Sequence, residues 1–230
     1  MPDSAAVNSM FGRIAGRYDL ANRLLSGGRD IGWRRRLVGA AGRTQPRDLL
    51  DLATGSGDVA FALEQGIPSA RRIVGLDFCL PMLAEAERKR PAGSRVAFQA
   101  GDALALPWEE GAFDVVTIAF GVRNFADRPR GLAEMRRVLR PGGRAIILET
   151  SQPYAWFRPV YLAYVRHLLP RIAGVITRER SAYVYLNETI ESFPGREALA
   201  GELRAAGFAE VTATPLTLGI VALHEGVKVS

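Results

Sequence analysis

The residues best suited to chemistry are two glycines and an acid. Gly55 and Gly57 follow a short apolar run at residues 49–53, and Asp77 closes the next apolar run at residues 73–76. Glycine permits a tight turn against which a ligand can lie, and the helix that follows offers free N–H groups. Asp77 would be a fixed acceptor for a ribose diol. The pattern predicts half of a nucleotide-binding sheet, although a lone Gly-x-Gly also occurs in ordinary strand-to-helix turns.

The identity of the nucleotide depends on two further acids. Gly55, Gly57 and Ala60 satisfy the G-x-G-x-x-G/A dinucleotide fingerprint, so a nicotinamide cofactor has to be considered. Asp51, however, lies inside the first expected strand, and Asp102 stands where a third strand should end. Carboxylates at these places suit an ammonium group, a ribose and an adenine, whereas a pyrophosphate would gain little from Asp51. The acids therefore favour S-adenosylmethionine.

These residues must be positioned by strands that alternate with helices. Apolar runs predict seven strands, at residues 49–53, 73–76, 96–102, 112–120, 145–148, 208–214 and 219–224. Helices are expected at residues 10–25, 31–41, 59–63 and 80–86 and, after an Asp127 cap, on a stretch carrying Leu132, Met135, Val138 and Leu139. This alternation predicts an α/β fold, with a mostly parallel Rossmann-like sheet and helices on both faces. The last two strands have no helix between them and should pair antiparallel.

Composition is typical of an ordinary globular domain. The 230 residues are 48% hydrophobic and 23% charged, which is enough for a single domain with a real core. Cys79 is the only cysteine, so an internal disulfide is excluded and a reducing, cytoplasmic location is favoured. No secretory signal or membrane-spanning run is expected.

The net charge of +6 comes almost entirely from arginines scattered over several expected helices. Apart from residues 34–36 they form no basic tract, so nucleic acid is not an expected partner. That triplet is better explained as a solvated helix face. The charge would also favour contact with an anionic lipid surface.

Two other kinds of site find little support. His224 lies in the last expected strand, and a solvent-facing position is favoured over a catalytic one. No cluster of histidine, cysteine and acids has metal-ligand spacing, and no Gly-x-Ser-x-Gly turn is present. The sequence therefore predicts neither a metal site nor a serine nucleophile.

Several motifs together resemble one family closely. They are Tyr18-Asp19-Leu20-Ala21-Asn22, Asp51-Leu52-Ala53-Thr54-Gly55-Ser56-Gly57, Gly101-Asp102-Ala103, Phe120-Gly121-Val122-Arg123-Asn124 and Leu139-Arg140-Pro141-Gly142-Gly143, followed by residues 185–190 and 216–224. Over nearly its whole length the chain resembles the ubiquinone/menaquinone biosynthesis C-methyltransferases. The Phe-Gly-x-Arg-Asn stretch and the Gly-Ile-Val-Ala-Leu-His tail are the most specific motifs. The resemblance implies a class I S-adenosylmethionine fold with seven strands, an antiparallel terminal strand and an N-terminal helical lid.

The resemblance also implies a set of site residues. Cofactor contacts are expected at Asp51, Thr54, Gly55, Gly57, Asp77, Phe78, Asp102, Ala103 and Ala119. Ala119 stands where the family often has a serine, so a side-chain hydroxyl bond is lost there. Tyr18, Phe120 and Arg123 are expected at the substrate, and Arg123 and Asn124 in catalysis.

Methyl transfer to a quinol ring needs alignment, exclusion of water and a proton acceptor. Arg123 and Asn124, just past the fourth strand, are expected to hold the quinol oxygen, with Arg123 stabilising phenolate charge. The alternative for Arg123 is a salt bridge that flanks a helix. The expected reaction is C-methylation of a polyprenyl quinol, with demethylmenaquinol favoured. A benzoquinol of ubiquinone synthesis, another small acceptor and a non-catalytic lipid-surface protein are the alternatives.

Residues 1–230 are expected to form one domain. It would comprise a helical lid at residues 1–45, a cofactor-binding core at 46–150, a helical substrate flap at 151–200 and a C-terminal helix and hairpin at 201–230. Residues 154–176 are apolar and aromatic, but arginines and prolines interrupt them, which argues against a membrane span. We interpret them as a flap over the prenyl tail that touches the inner face of the membrane. The alternative is packing on the core or at a homodimer interface.

Overall fold

The computed structural model describes residues 12, 13, 16, 19, 20, 22–168, 189, 190 and 192–230. Tyr18 and residues 169–188, which include much of the expected flap and the start of the 185–190 motif, lie outside the described residues. Within the expected N-terminal helix, residues 12, 13, 16, 19, 20 and 22–25 are helical. None of the helices in the described ranges is long and apolar enough to cross a bilayer.

Strands and helices alternate along the chain as expected. The strands are β1 (Asp48–Leu52), β2 (Arg72–Asp77), β3 (Val96–Ala100), β4 (Phe113–Ala119), β5 (Leu139–Thr150), β6 (Phe208–Leu216) and β7 (Val221–Lys228). The helices are α1 (Arg29–Ala41), α2 (Asp58–Gly66), α3 (Leu80–Lys89), α4 (Arg128–Val138), α5 (Arg158–Ala163) and α6 (Arg196–Ala205). Short 3-10 turns occupy Gly42–Thr44, Val122–Asn124 and Thr217–Gly219, and a π turn occupies Tyr164–Leu168.

The seven strands form one sheet in the order β3-β2-β1-β4-β5-β7-β6. Neighbouring strands from β3 to β5 are parallel, whereas β7 is antiparallel to both β5 and β6. The predicted α/β fold and antiparallel final strand are therefore confirmed. The chain runs outward from β1 to β3 and then returns to β4 on the other side of β1. The carboxyl ends of β1 and β4 thus form the switch point at which such sheets bind ligands.

β1 is the centre of the core because both of its faces are covered. Leu50 and Leu52 pack in the cluster on one side of the sheet, and Leu49 packs in the cluster on the other side. Each of these three leucines is fully buried, which stabilises the fold by about 1.5–3 kcal/mol per side chain. Burial on both faces explains why this strand is a continuous apolar run without alternation.

The end of α4 differs from the sequence-based expectation. Asp127 caps the helix as predicted, since its side chain accepts a hydrogen bond from Arg130 N at 3.0 Å. The helix ends at Val138, however, and Leu139 pairs with Phe113 as the first residue of β5. Assigning Leu139 to the helix was therefore wrong. Leu139 is buried and continues the helical apolar spacing, so the pattern alone could not separate the two elements.

His224 is buried and does not face solvent, so that prediction was also wrong. It lies opposite Ile147 in the middle of β7, which continues to Lys228. α6 covers this side of the sheet, and His224 Nε2 lies 2.9 Å from the carbonyl oxygen of Arg196. Burial lowers the pKa of His224, which favours the neutral imidazole.

Candidate active site

The glycine turn between β1 and α2 has the predicted backbone conformation. Gly55 and Gly57 have φ of +57° and +84°, a region that L side chains rarely adopt. A Cβ on Gly57 would lie 2.8 Å from Phe98 Cζ and 2.9 Å from Phe61 Cε2, so the turn has no room for a side chain. α2 starts directly afterwards, at Asp58, and its first N–H groups lack helical acceptors. A ligand can therefore lie close against the backbone of this turn.

Asp51 lies beneath this turn and is fully buried. Thr54 Oγ1 and Thr117 Oγ1 donate hydrogen bonds to its two carboxylate oxygens, each at 2.7 Å. Burial raises the pKa of Asp51 to about 7, although the two hydroxyl bonds oppose the rise. In this position the carboxyl supports Thr54 from below, and its ionised form places negative charge beneath the glycine turn.

Asp77 connects the end of β2 to the glycine turn. Its Oδ2 accepts a hydrogen bond from Gly55 N and its Oδ1 accepts one from Cys79 N, both at 2.8 Å. The side chain is largely buried, and burial raises the pKa of Asp77 against the opposing effect of these backbone bonds. The acid is thus fixed at the strand end where a ribose acceptor was predicted.

The remaining predicted cofactor residues of this half lie at the ends of β2 and β3. Phe78 directly follows β2 and is partly exposed. Asp102 is exposed just beyond β3, and its Oδ1 accepts a hydrogen bond from Leu104 N at 2.8 Å. Ala103 packs against the core. Because β2 and β3 are parallel neighbours, these residues share one edge of the crevice.

The acids of the crevice have no cationic partners in the part of the chain that the structure describes. Asp51, Asp77 and Asp102 bond only to hydroxyl and backbone N–H groups. By contrast, Asp58 and Asp114 each form ion pairs with basic side chains. A site with this set of acceptors suits a ligand that brings its own positive charge and hydroxyl donors. It fits an adenosyl amino acid better than a pyrophosphate.

The turn after β4 is built on an unusual backbone conformation. Phe120 and Ala53, at the ends of adjacent strands, have φ of +57° and +48°. Such conformations cost a non-glycine residue about 1–3 kcal/mol and concentrate at functional sites. A Cβ on Gly121 would lie 2.7 Å from Ala53 Cβ, so the two turns are in close contact. Ala119, the residue before Phe120, packs against the core on this side.

Arg123 lies in the 3-10 turn that follows and forms a buried ion pair with Glu149. Arg123 Nη1 is 2.6 Å from Glu149 Oε1, and Arg123 N donates to Glu149 Oε2 at 3.2 Å. The Glu149 side chain is completely buried, and that of Arg123 is 6% exposed. The guanidinium carbon lies 5.8 Å from the centre of the Phe120 ring. Asn124 follows in the same turn and is half-buried.

Sequence reasoning did not connect Glu149 with Arg123. The salt bridge expected as the alternative for Arg123 flanks a helix, whereas the observed partner stands near the end of β5. The register pairs Ala119 with Leu148, which brings the turn after β4 against Glu149. An acid near the end of the strand expected to neighbour β4 was the feature that could have suggested this pair.

Aromatic side chains surround this end of the crevice. Trp33 of α1 lies with its ring 6.0 Å from that of Phe120, and its Nε1 donates to Thr217 Oγ1 at 2.8 Å. Tyr161 of α5 is half-buried. Burial and the neighbouring Tyr164 raise the pKa of Tyr161 to about 12, while the positive charge of Arg123 opposes the rise. The aromatic rings of Trp33 and Phe120 therefore lie together at this end of the crevice.

The N-terminal segment contacts the glycine turn through Asp19. Ser56 Oγ donates to Asp19 Oδ1 at 2.6 Å, and Lys89 Nζ lies 2.7 Å from Asp19 Oδ2. Lys89 also pairs with Asp58, which in turn pairs with Arg34. These contacts hold part of the expected lid against the cofactor side of the crevice. Tyr18, the predicted substrate residue of this segment, is outside the described residues.

A donor that carries its own positive charge explains why the acids at these strand ends have no cationic partner among the residues with a described placement. Together with the strand order and the reversed β7, this places the chain in the class of S-adenosylmethionine-dependent methyltransferases of the class I fold. The chain belongs to the ubiE/COQ5 methyltransferase family, whose model matches residues 2–228. The resemblance noted from the sequence motifs is confirmed.

Curated relatives match over almost their whole length. A protein of Thermus thermophilus called demethylmenaquinone methyltransferase is 51% identical, covering 94% of this chain and 99% of its own. One of the same name from Deinococcus radiodurans is 47% identical, covering 97% and 92%. A ubiquinone/menaquinone biosynthesis C-methyltransferase of Citrifermentans bemidjiense is 42% identical, covering 96% of each chain.

Solved structures support the fold. A SAM-dependent methyltransferase of Thermotoga maritima has a TM-score of 0.67 at 17% identity and covers 96% of this chain and 98% of its own. Human N-acetylserotonin methyltransferase, in complex with SAM, has a TM-score of 0.63 at 18% identity and covers 93% of this chain and 56% of its own. At such identities the likeness extends to the fold alone.

Proposed function

We propose that this protein transfers a methyl group from S-adenosylmethionine to a ring carbon of a polyprenyl quinol, with demethylmenaquinol as the preferred acceptor. The observation that carries the proposal is the placement of Arg123. It is a buried cation at the end of β4, beside a crevice whose own acids have no cationic partner among the described residues. One part of the crevice suits a cationic donor, and the other suits an acceptor that develops negative charge.

The predicted cofactor residues are assigned to different parts of S-adenosylmethionine. We assign the ribose hydroxyls to Asp77, the adenine to Phe78, Asp102 and Ala103, and the amino-acid portion to Thr54, Gly55, Gly57 and, through its charge, Asp51. Ala119 supplies backbone but no hydroxyl at the end of β4. When bound, S-adenosylmethionine supplies an electrophilic methyl group on a sulfonium ion, so the protein need not provide a covalent nucleophile.

Arg123 and Asn124 are assigned to the acceptor. The guanidinium stabilises the negative charge that grows on the quinol oxygen as its proton leaves to water. Glu149 holds the guanidinium in place before the acceptor arrives, so little reorganisation is needed. Phe120 and Trp33 present aromatic surface to the ring and exclude water. Alignment of the reacting atoms can contribute about 7–11 kcal/mol to lowering the barrier.

The choice between acceptors rests on the relatives. The two at 51% and 47% identity are named for demethylmenaquinone, whereas the one at 42% is named for both quinones. This supports a naphthoquinol acceptor over the benzoquinol of ubiquinone synthesis. Another small acceptor, or a non-catalytic lipid-surface role, remains as an outcome of the test.

The test is a kinetic assay with methyl-labelled S-adenosylmethionine. Short-chain demethylmenaquinol and the corresponding benzoquinol are supplied under reducing conditions, and kcat/KM is measured for each. We expect transfer to carbon and a higher kcat/KM for demethylmenaquinol. Transfer to oxygen, or to neither quinol, would contradict the proposal, and a preference for the benzoquinol would contradict the choice of acceptor.

Two arginine variants test the role of Arg123 within the same assay. Arg123→Ala should lower kcat by at least about 100-fold, since a charge-stabilising donor in a dry site has an effect of that order. Arg128→Ala is the matched control, because Arg128 also pairs with an acid, Glu202, and lies over an aromatic ring. We expect Arg128→Ala to keep near-normal turnover. Full turnover by Arg123→Ala with normal cofactor binding would contradict the assignment.

We also propose that the start of the flap touches an anionic membrane surface. Trp156 is 70% exposed in the turn before α5, and Val160 is 63% exposed in the first turn of that helix. Arg158 lies between them and is exposed, which adds positive charge to the apolar patch. A prenylated acceptor resides in the bilayer, so such a contact would bring the crevice to its substrate.

Co-sedimentation with vesicles of phosphatidylcholine and phosphatidylglycerol tests this contact. Trp156→Ser/Val160→Ser should weaken vesicle binding about tenfold or more, whereas Leu80→Ser, which changes an equally exposed leucine on α3, should not. Equal vesicle binding by all three proteins would contradict the proposal. A concentration-dependent dimer lost only in the double variant would assign the patch to a homodimer interface instead.

A further inference from the structure

The N-terminal segment contacts both of the turns that border the crevice on its cofactor side. Asp19 Oδ1 accepts a hydrogen bond from Ser56 Oγ at 2.6 Å, and Ser56 lies between the two glycines of the turn after β1. A Cβ on Gly12 would lie 3.3 Å from Pro81 Cγ, in the first turn of α3, just past the end of β2. Two points of one short segment therefore contact the two turns between which the ribose is assigned.

Asp19 also belongs to a network of charged side chains around the glycine turn. Lys89 Nζ lies 2.7 Å from Asp19 Oδ2 and also pairs with Asp58, the first residue of α2. Ser56 and Asp58 stand on the two sides of Gly57. One of these two neighbours is therefore linked to Asp19 directly, and the other is linked to it through Lys89. The Asp19 side chain is 30% exposed and that of Lys89 is 23% exposed, so solvent screens their pairing only in part.

A second attachment of the same segment lies farther along the chain, at its junction with α1. Ser26 Oγ donates a hydrogen bond to Asp30 Oδ1 at 2.9 Å. This contact is local, because the two residues are four positions apart, whereas Asp19 and Ser56 are 37 positions apart. The bond of Ser26 thus fixes the segment to α1, and the bonds of Asp19 fix it to the glycine turn and to α3.

We propose that Asp19 is a positioning residue that couples the N-terminal segment to the cofactor site, so that the segment retains bound S-adenosylmethionine. A ligand seated against the glycine turn holds the backbone of Ser56 in the conformation that presents its hydroxyl to Asp19. By linkage, a segment that favours this conformation of the turn must also favour the bound ligand. The inference rests on the proposed function only in placing the cofactor against the glycine turn.

The first experiment compares Asp19→Ala with Ser26→Ala in calorimetric titrations with S-adenosylmethionine. Asp19 lies in a helical stretch and alanine favours a helix, so weaker binding by Asp19→Ala cannot be attributed to a weaker helix. Asp19→Ala should raise the Kd about 5- to 30-fold, because it removes a charge-assisted hydrogen bond and an ion pair. Ser26→Ala should keep the Kd within about twofold. Equal Kd values for Asp19→Ala and the unaltered protein would overturn the proposal, as would equal losses in both variants.

A double-variant cycle tests whether Asp19 acts through the glycine turn. Ser56→Ala should raise the Kd for S-adenosylmethionine less than Asp19→Ala does, because the pairing of Asp19 with Lys89 remains. In the Asp19→Ala background, the same change at Ser56 should have little further effect. Losses that simply add would show that the two residues act independently, and they would overturn the proposal.

Hydrogen exchange supplies a readout that a merely structural role of Asp19 would not change. Saturating S-adenosylmethionine should slow amide exchange in peptides covering residues 12–25 of the unaltered protein, and Asp19→Ala should lose most of this slowing at full saturation. Equal slowing in the two proteins would overturn the proposal. None of these experiments contains a quinol, so a failure of methyl transfer is distinguishable from a failure of the coupling. If the unaltered protein bound no S-adenosylmethionine, both proposals would be overturned.

Discussion

The carboxyl of Asp51 titrates very differently in the folded protein than it would in water. In water its carboxyl would be ionised at neutral pH, but burial beneath the glycine turn raises its pKa to about 7. Its hydrogen bonds to Thr54 and Thr117 hold it in place in either state. A cation that binds nearby favours the ionised form, so the ammonium group of the cofactor should lower this pKa and expel a proton.

Cofactor binding should therefore depend on pH in a defined direction. Above about pH 8, Asp51 is already ionised in the free protein, so its own titration no longer changes the affinity. As pH falls through 7, the free protein takes up a proton that the complex excludes, so affinity should decline toward tenfold per pH unit. Calorimetry at pH 7 in two buffers of different ionisation enthalpy should detect release of about half a proton per cofactor bound.

Asp51→Asn supplies the control for that measurement. Asp77, whose pKa is also raised by burial, remains in this variant and could contribute to proton release. We expect the release to disappear when Asp51 is replaced. Proton uptake by the unaltered protein, or release that persists in Asp51→Asn, would contradict the assignment to Asp51.

The Arg123–Glu149 pair should also be important for stability. Glu149→Gln removes the carboxylate that pairs with the buried guanidinium, and removing one partner of a buried pair costs about 3–5 kcal/mol. Glu202→Gln breaks a partly exposed pair with Arg128 and should cost about 0–1 kcal/mol. Urea denaturation measures both. Similar losses in the two variants would show that the buried pair is not special.

For single residues, the sequence predicted the positions of the chemically important side chains better than it predicted their hydrogen-bond and ion-pair partners. Asp77 and Arg123 stand at strand ends where their motifs placed them. The pairing of Arg123 with Glu149 was not predicted, because it depends on the register between β4 and β5. His224 was misplaced for a similar reason, since its burial is created by α6, which packs over it from another part of the chain.

At the scale of elements, the glycine turn shows how little freedom the backbone has near the cofactor. Gly57→Ala must adopt φ of +84° and place a Cβ against Phe98 and Phe61. The left-handed conformation costs about 1–2 kcal/mol, and overpacking adds about 1–3 kcal/mol. We expect a total loss of about 2–5 kcal/mol in urea denaturation, together with weaker cofactor binding.

Gly142→Ala isolates the backbone contribution. Gly142 has a similar φ of +79°, but a Cβ there would meet nothing within 4 Å. Gly142→Ala should therefore lose only the conformational part of the stability, about 1–2 kcal/mol, and its cofactor affinity should be unchanged. If both variants lost the same stability and the same affinity, the close packing at Gly57 would have no consequence.

Some ends of helices and strands can be predicted from the apolar pattern of the sequence, and others cannot. β1 and β2 were predicted within about one residue, because buried parallel strands are continuous apolar runs. The junction of α4 and β5 was not, since Leu139 satisfies the helical spacing while belonging to the strand. Pro141 and Gly142 lie within β5, beside an irregular register that accommodates them, so they mark a bulge inside the strand.

At the scale of the whole molecule, topology brings distant residues into one site. Asp51, Asp77 and Asp102 are separated in sequence, but their parallel strands place them along one edge of the sheet. The return of the chain to β4 sets Arg123 on the other side of β1. The strand order follows from alternating strands and helices and was predictable in outline. The aromatic surroundings of Arg123 were not, because Trp33 of α1 reaches Phe120 from a separate region of the chain.

We propose that this crevice places a cationic methyl donor against the ring carbon of a quinol. The most direct test is a single-turnover reaction with S-adenosylmethionine carrying a carbon-13 methyl group and short-chain demethylmenaquinol, with the product examined by NMR. We expect one label on the ring carbon, visible as an aryl methyl group. A label found as a methoxy group, or left entirely on the donor in the presence of the quinol, would contradict it.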